Sequence, residues 1–521
     1  MKNNSWETTR KIYINWLTKN ELRRIFSKNI KYENLSLWWL TDLISKDNVN
    51  KPEWFSNLHK TFNNKKLRIL KYEFFYISQI LRLIKKIFLK IIFTCFIKLF
   101  FIEKLNSSKL NKNCFYALFS NFTEYQNKYV DRQYGVYGIK KNKKQFYFLE
   151  MPENFNLFFN YYKIKKILSR VPLEYCISSN NLTVFKIISV YFFCLRKLFK
   201  LIFILKKKNY FFLDNKNCEK ILKKKLIESF FGSIPEQLLK GIALNNCLKK
   251  TDSKNFINCF DFHPQSRSLY YFARKSHIKN IININHFNFS ENNIFSNFVK
   301  KEFSKNNDCT YFSPKPNIFF CQGAKYYKKI KSIFTTEKVY QVGSFKTELN
   351  HTQISLNKKN IFKNNKKIIV ILCSISDYFS FIKILNLCDL SNFKIIVSPH
   401  PLKVNQTIYD FKNNFKKDFI IDSTPNKTKL LNNCDFIIFG DTSLGLELSI
   451  MNKNIFRIYD KEFIPTFDID NEVPTATNFT MVEKLLQKKA IKQKSKLLEK
   501  NYFYKYDKKA SYRFNKILEK I

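Results

Sequence analysis

Phe436-Ile-Ile-Phe439-Gly440-Asp441-Thr442-Ser443-Leu-Gly445-Leu-Glu447 runs from an apolar block into a pair of small hydroxyl residues and then into a stretch with helical periodicity. A short apolar run closed by Gly reads as a buried strand, and Ser443–Met451 reads as the helix that follows it. Thr442 and Ser443 then stand at a helix N-terminus. Free N–H groups and the helix dipole there favour an anion such as a phosphate. In doubly wound sheets ligands bind in loops of this kind, beyond the carboxyl ends of the strands. Glu447, one turn further in, is spaced to accept a hydrogen bond from a ribose hydroxyl.

The same strand–loop–helix rhythm extends on both sides. Upstream, strands are expected at Lys367–Leu372, Lys394–Ser398 and Phe419–Asp422, with helices at Asp377–Cys388, Lys403–Phe415 and Lys427–Asn433. Downstream, Ile455–Tyr459 reads as a strand and Met481–Ile521 as a Lys-rich helical tail. A second series precedes these. Its strands are Phe256–His263, Ile278–His286, Asn317–Gln322 and Lys338–Gly343, and its helices are Ser266–Ser276 and Ala324–Phe334. Cys114–Phe119 and Gln145–Glu150 add earlier strands, and Trp6–Leu17, Leu35–Ser45, Ile221–Phe231 and Glu236–Lys249 read as helices. Ser344–Lys366 is polar and lacks an apolar period, so it reads as a linker. Alternation of this kind argues for parallel sheets, and 521 residues exceed what one core holds. The expected fold class is therefore α/β, with two Rossmann-like domains facing a central cleft. The expected division is 1–345, 346–480 and a helical tail, 481–521.

Three further loops in the second half carry candidate ligand groups, the last of them Asp422-Ser-Thr-Pro425. Ser374-Ile-Ser376-Asp377 again places hydroxyls at a helix start. Ser398-Pro399-His400-Pro401 holds an imidazole at a strand end between two backbone-fixing prolines. Together with Gly440, Thr442, Ser443 and Glu447, the residues Ser374, Ser376, His400 and Pro401 form the candidate nucleotide site. In the first half Asp261, His263 and His286 fall at strand ends. Transfer with inversion needs a base for the acceptor hydroxyl, and His263 or Asp261 fits that role, with His286 on the acceptor side. Asp468-Ile-Asp470 has a metal-like spacing but lies in a Pro-flanked loop, so neither a metal nor a cofactor is expected.

The formal net charge is +51. Strong basicity points to nucleic acid or an anionic membrane, and no modular nucleic-acid-binding signature is present. Its placement favours the membrane. On a helix, Arg68, Lys71, Arg82, Lys85, Lys86, Lys90 and Lys104 of Arg68–Leu105 fall within an arc of roughly 140°. Val184–Lys208 repeats the design, with Lys186, Arg196, Lys197, Lys200, Lys207 and Lys208 clustered opposite Ile187, Ile188, Tyr191, Phe192, Leu195 and Phe199. Insertions over about 68–105 and 184–208 are expected to be interfacial helices rather than spans, because their uncharged runs are short of the ~20 apolar residues a span needs. Met1–Trp16 has no apolar core of a secretory signal. The 12 cysteines form no Cys-x-x-Cys pair, and buried thiols in a reducing cytosol are expected.

A strand, His400-Pro401, then a strand, a hydroxyl pair, a helix and Glu447 resemble the donor half of GT-B glycosyltransferases. The likeness is to the His-Pro-bearing set: bacterial sialyltransferases, Kdo transferases, capsule polysaccharide transferases and CDP-glycerol-type polymerases. That resemblance implies that His400, Pro401, Thr442 and Ser443 contact the donor nucleotide and its phosphates. The chain departs from the set in carrying Thr-Ser after Asp441 where Ser-Ser or Ser-Thr is usual. Ser36-Leu-Trp38-Trp39, the basic apolar insertion and a strand ending in His286 resemble bacterial surface carbohydrate biosynthesis proteins. Where that group carries Glu-Asn and Trp-Glu, this chain has Phe260-Asp-Phe-His263-Pro-Gln-Ser-Arg267. The resemblances imply a metal-independent transferase of surface polysaccharide. It would take a CMP-, CDP- or UDP-linked donor and a glycan or lipid-linked acceptor, in the cytoplasm against the inner membrane and without nucleic acid. A nucleotide-sugar epimerase of the same fold, and a non-catalytic binding protein that keeps it, are the alternatives.

Overall fold

The computed structural model describes residues 6–19, 21–44, 58, 72–105, 113–135, 145–259, 263–276, 278–284, 302–303, 308–345, 348, 366–374, 377–400, 403–423, 427–451, 453–460, 469–505, 507 and 509–521. Most of the expected linker, Ser344–Lys366, lies outside them.

The first half builds a seven-stranded sheet from β1 (Asn113–Leu118), β2 (Gln145–Glu150), β3 (Glu174–Ile177), β4 (Asn255–Asn258), β5 (Asn280–Ile284), β6 (Ile318–Cys321) and β7 (Lys338–Gln341). Every pairing is parallel, in the order β7-β6-β5-β4-β1-β2-β3. The second half builds a six-stranded sheet from β8 (Lys367–Leu372), β9 (Phe393–Ser398), β10 (Phe419–Ile421), β11 (Phe436–Phe439), β12 (Ile455–Ile458) and β13 (Thr475–Ala476). It too is wholly parallel, in the order β10-β9-β8-β11-β12-β13. Both orders are the Rossmann order, in which the winding reverses beside the first strand. The chain is α/β with two Rossmann-like domains.

Successive strand residues point to opposite faces, and both faces are covered, so the strands read as continuous apolar runs. In the first domain Cys114 and Tyr116 enter one core. That core is built with the helices α1 (Trp6–Lys19), α2 (Glu21–Asn29), α5 (Val184–Leu205), α6 (Glu219–Phe231), α7 (Ser233–Thr251) and α8 (Pro264–Lys275). Phe115 and Ala117 enter the opposite core with Phe93 and Ile97 of α3 (Tyr72–Phe100) and with Ile164 and Leu168 of α4 (Tyr161–Ser169). On the outer part of this sheet α9 (Ala324–Ile333) packs Tyr326 and Ile330 against Phe319 and Cys321.

In the second domain Ile369 and Ile371 face α10 (Tyr378–Leu385), α11 (Val404–Asn414) and α14 (Phe479–Leu486). Ile368, Val370 and Leu372 face α12 (Thr428–Asn432) and α13 (Ser443–Ile450). The last helix, α15 (Ala510–Leu518), returns to the first domain, where Phe514 and Leu518 join the core behind Phe320 and Phe345.

Two expected elements come out differently. Leu35–Ser45 is a two-residue bridge strand and two 3₁₀ turns, because the Ser36 N–H bonds to Cys309 O at 3.1 Å and the Leu37 N–H to Ile30 O at 3.0 Å. The Lys-rich tail is not one helix. It breaks after α14, and again at Tyr504, whose φ is +63°.

The two basic segments are helical over α3 and α5, which pack on each other, but Lys104, expected on the first helix, lies beyond its end in a bridge to Tyr175. Arg68 and Lys71 lie outside the described residues. The cations of α3 divide in two. Lys86 pairs with Glu236 at 3.2 Å, and Lys90, its side chain 10% exposed, pairs with Glu153. Both bind the helix to its own domain. Arg82, Lys85 and Lys98 stay exposed.

The face expected to be free on α5 also divides. Ile187 and Tyr191 are buried in the core, while Phe185, Phe192, Phe199 and Phe203 are 64 to 79% exposed. Those four fall within roughly 40° of one another on the helix, with exposed Arg196, Lys200 and Lys207 beside them. On α3, Ile80, Leu81, Ile84, Phe88 and Leu99 are exposed as well. Among the described residues no helix is long and apolar enough to cross a membrane.

Candidate functional site

In the second domain the winding reverses between β8 and β11, and β9 lies on the other side of β8. The crevice for a ligand opens beyond the carboxyl ends of these strands, and three of the four expected loops start there, the Asp422 loop following the edge strand β10. Ser374 follows β8, His400 follows β9, and Gly440, Thr442 and Ser443 follow β11. Neighbouring strands are about 4.8 Å apart, so the outermost two loops start roughly 10 Å from each other.

Hydrogen bonds tie the loops side to side. Cys373 N–H donates to Ser398 O at 3.0 Å. Ser374 N–H donates to Asp377 Oδ1 at 2.7 Å, and Asp441 N–H donates to Asp377 Oδ2 at 2.8 Å. Arg457 Nε donates to Gly440 O at 2.9 Å. The chain of bonds therefore runs from β9 through β8 and β11 to β12.

Gly440 is required by this arrangement, since a Cβ there would stand 2.4 Å from Asp377 Oδ2. Thr442 is the N-cap of α13, its hydroxyl accepting from Leu444 N–H at 3.3 Å. Ser443 is the first residue of that helix. Glu447 sits one turn in and is 2% exposed, so it lies beneath the loop surface rather than on it. The backbone O of His400 accepts from Lys403 N–H at 2.8 Å, which fixes the bend that carries the imidazole. Ser376 and Pro401 lie outside the described residues.

The local charges are three carboxylates and one guanidinium. Arg457, fully buried in β12, reaches Asp441 Oδ1 and Asp470 Oδ1, both at 3.2 Å. Asp470 also accepts from Tyr459 Oη at 2.5 Å and from Thr475 Oγ1 at 3.0 Å. Burial pushes the Asp377 carboxyl up to about 6, against the Asp441 and Ser374 N–H groups that favour its charge. With the acids this committed, the groups of this crevice that can face an anion are the first turn of α13 and His400, whereas Lys427, beyond β10, is engaged by Asp422 through its backbone O at 2.6 Å. Burial lowers Lys427, and Asp422, at 3.7 Å, works to keep it charged.

Asp377 and Arg457 are the buried charged residues of this crevice that sequence reasoning passed over. Their signal was present. Arg457 interrupts the apolar strand Ile455-Phe-Arg-Ile458, and a charge inside a buried strand needs a buried partner.

In the first domain the winding reverses between β1 and β4. His263 follows β4 as the N-cap of α8, and its side chain makes no capping bond. Gln265, the second residue of that helix, donates to the Tyr116 hydroxyl of β1, which itself bonds Glu150 at the end of β2. Lys240 of α7 pairs with Glu150 at 2.5 Å. Burial opposes the charge on Glu150, but Lys240 and Tyr116 outweigh it and hold the carboxyl below its ordinary range. Asp261 and His286 lie outside the described residues.

No protein-family model matches the chain, and no curated protein matches it. Solved structures similar to it include a co-structure of Staphylococcus aureus MnaA with UDP, at 10% identity over 79% of this chain and 96% of that one, TM-score 0.46. Another is the wall teichoic acid polymerase TagF, at 12% identity over 85% and 97%, TM-score 0.42. A third is the UDP-GlcNAc 2-epimerase of Neisseria meningitidis bound to UDP-GlcNAc, at 10% identity over 79% and 100%, TM-score 0.44.

Proposed function

We propose that this protein is a glycosyltransferase of surface polysaccharide synthesis. It moves a sugar from a CMP-, CDP- or UDP-linked donor to a glycan or lipid-linked acceptor at the cytoplasmic face of the inner membrane. The observation that carries this reading is the meeting of the Ser374, His400 and Gly440–Ser443 loops on three neighbouring strands at the second domain's point of reversal.

The donor's phosphate lies at the first turn of α13, where N–H groups and the His400 imidazole stabilise the charge that develops as the nucleotide leaves. The acceptor enters at the first domain's point of reversal. His263, with Asp261 as the other candidate, takes the proton of the acceptor hydroxyl as that oxygen attacks the anomeric carbon. His286 belongs to the same side. No step calls for a metal.

A thermal-shift panel of CMP, CDP, UDP and GDP tests the donor site. A ligand at 100 times its Kd stabilises a native protein by about 2.7 kcal/mol. At least one pyrimidine nucleotide is therefore expected to raise the melting temperature by a degree or more. No shift with any of them removes the donor site. Product analysis separates the enzyme classes. A transferase consumes the nucleotide-sugar only with an acceptor, an epimerase returns its isomer without one, and a pure binding protein leaves it unchanged.

The exposed Phe ridge of α5, flanked by Arg196, Lys200 and Lys207, supports contact with an anionic bilayer, where lipid-linked acceptors reside. Each inserted Phe contributes about 1.5–3 kcal/mol and each cation near the surface about 1 kcal/mol. Replacing Phe192 and Phe199 with Ser is expected to lower affinity for phosphatidylglycerol-containing vesicles at least roughly a hundredfold. Arg196→Glu with Lys200→Glu is expected to abolish the preference for anionic over neutral vesicles. Co-sedimentation of the folded variants at wild-type levels refutes this part.

A further inference from the structure

The Gly440–Asp441 peptide unit is held at both of its polar ends by buried charged side chains. Its carbonyl accepts from Arg457 Nε at 2.9 Å, and its N–H donates to Asp377 Oδ2 at 2.8 Å. Both side chains are fully buried. The other Asp377 oxygen accepts from Ser374 N–H at 2.7 Å, so one carboxylate spans the two loops on either side of the β8–β11 reversal. The fit leaves no slack, since a Cβ on Gly440 would collide with Asp377.

A buried carboxylate and a buried guanidinium are costly to desolvate. Holding a short loop against a sheet does not need them, because Thr442 already caps α13. What they do fix is the plane of one peptide, immediately before the N–H groups of the α13 first turn. A preorganised site gains by having such groups aimed before the ligand arrives.

We infer that Asp377 and Arg457 are positioning residues. They set the Gly440–Asp441 peptide so that the Thr442–Leu444 turn meets the phosphate of the donor nucleotide. This rests on the donor-site reading above. The groups facing Asp377 are Cys373 and Ser374 on its own loop and Asp441 across the reversal, with Arg457 and then Asp470 behind Asp441.

The sign of the pH effect separates positioning from stability. The native carboxyl titrates near 6 instead of 3.8, so the native state binds the extra proton. Through this group stability rises as pH falls from 7 through 6 towards 4. Over the same range protonation removes an acceptor from one of the two N–H groups, so the loop loses its hold while the fold does not.

The test is calorimetric titration of CMP, CDP and UDP into wild type and Asp377→Asn between pH 7.5 and 5. The amide keeps the shape but offers an N–H to one of the backbone donors. At pH 7.5 the Kd of the variant is expected to be roughly 10- to 100-fold higher, at a melting temperature close to wild type. The ratio of the two Kd values is expected to shrink towards pH 5, where wild type has itself lost that acceptor. Titration of the nucleotide phosphate is common to both proteins and cancels in the ratio.

Equal Kd values at pH 7.5, a ratio that stays constant with pH, or a loss that only follows the unfolded fraction overturns the assignment. Absence of binding by wild type overturns the donor-site reading and this inference with it. Arg457→Lys keeps the charge but loses the Nε contact to Gly440. If it folds, it is expected to weaken binding in the same way, and wild-type affinity in folded Arg457→Lys removes Arg457 from the pair.

Discussion

Replacing His400 with Ala is expected to lower transfer by roughly 10²- to 10⁴-fold, with the circular dichroism spectrum and melting temperature of wild type. The imidazole follows β9 at the mouth of the reversal, where His400 is half-buried. The backbone that carries it is fixed independently, by the Cys373–Ser398 bond on one side and by the bond from Lys403 N–H on the other. The substitution therefore removes a donor or proton carrier and leaves those backbone bonds in place. The effect is expected in kcat, because a group that neutralises charge on the departing phosphate acts most strongly in the transition state. Full activity in the folded variant would take His400 out of the chemistry.

Phe514→Ala is expected to destabilise the fold strongly, costing roughly 3–5 kcal/mol. Phe514 lies in the last helix, far in sequence from the core it fills. Its ring is fully buried, 4.7 Å from that of Phe320 and 5.3 Å from that of Phe345. The returning helix is also latched by Arg513 Nε to Val342 O at 2.7 Å, and by Ser511 N–H and Oγ to the Glu348 carboxylate, both at 2.8 Å. Removing the aromatic centre is expected to lower the urea midpoint sharply and to expose 510–521 to protease. Tyr512, 63% exposed on the same helix, serves as the control, and Tyr512→Ala is expected to change stability by less than about 0.5 kcal/mol. Equal stability of the two variants would mean that the tail does not belong to the first domain's core.

The strands of the second domain were legible because burial on both faces turns each into an unbroken apolar run; Lys367–Leu372 came out residue for residue. In the two large sheets the strands that escaped notice, Glu174–Ile177 and Thr475–Ala476, are the edge strands β3 and β13, short and partly polar. Leu35, Trp38, Trp39 and Leu43 imitate helical spacing, but long-range bonds to Cys309 and Ile30 override that local pattern. The loops of the candidate site could be found because Gly, hydroxyl and His residues at strand ends are unusual in a chain with so few glycines. What the sequence hides is pairing. Nothing local says that Lys90 faces Glu153 rather than solvent, or that Asp377 would reach across the β8–β11 reversal to Asp441.

Hydrogen–deuterium exchange with and without saturating CMP, CDP or UDP tests the central claim most directly, because it reports where the ligand sits as well as whether it binds. Slower exchange is expected in peptides covering 373–378, 398–404 and 440–446, with none in the β10–α12 core or in α3 and α5. Binding that protects only the first domain, or no protection at saturation with any of the three nucleotides, would contradict a donor site at the β8–β11 reversal.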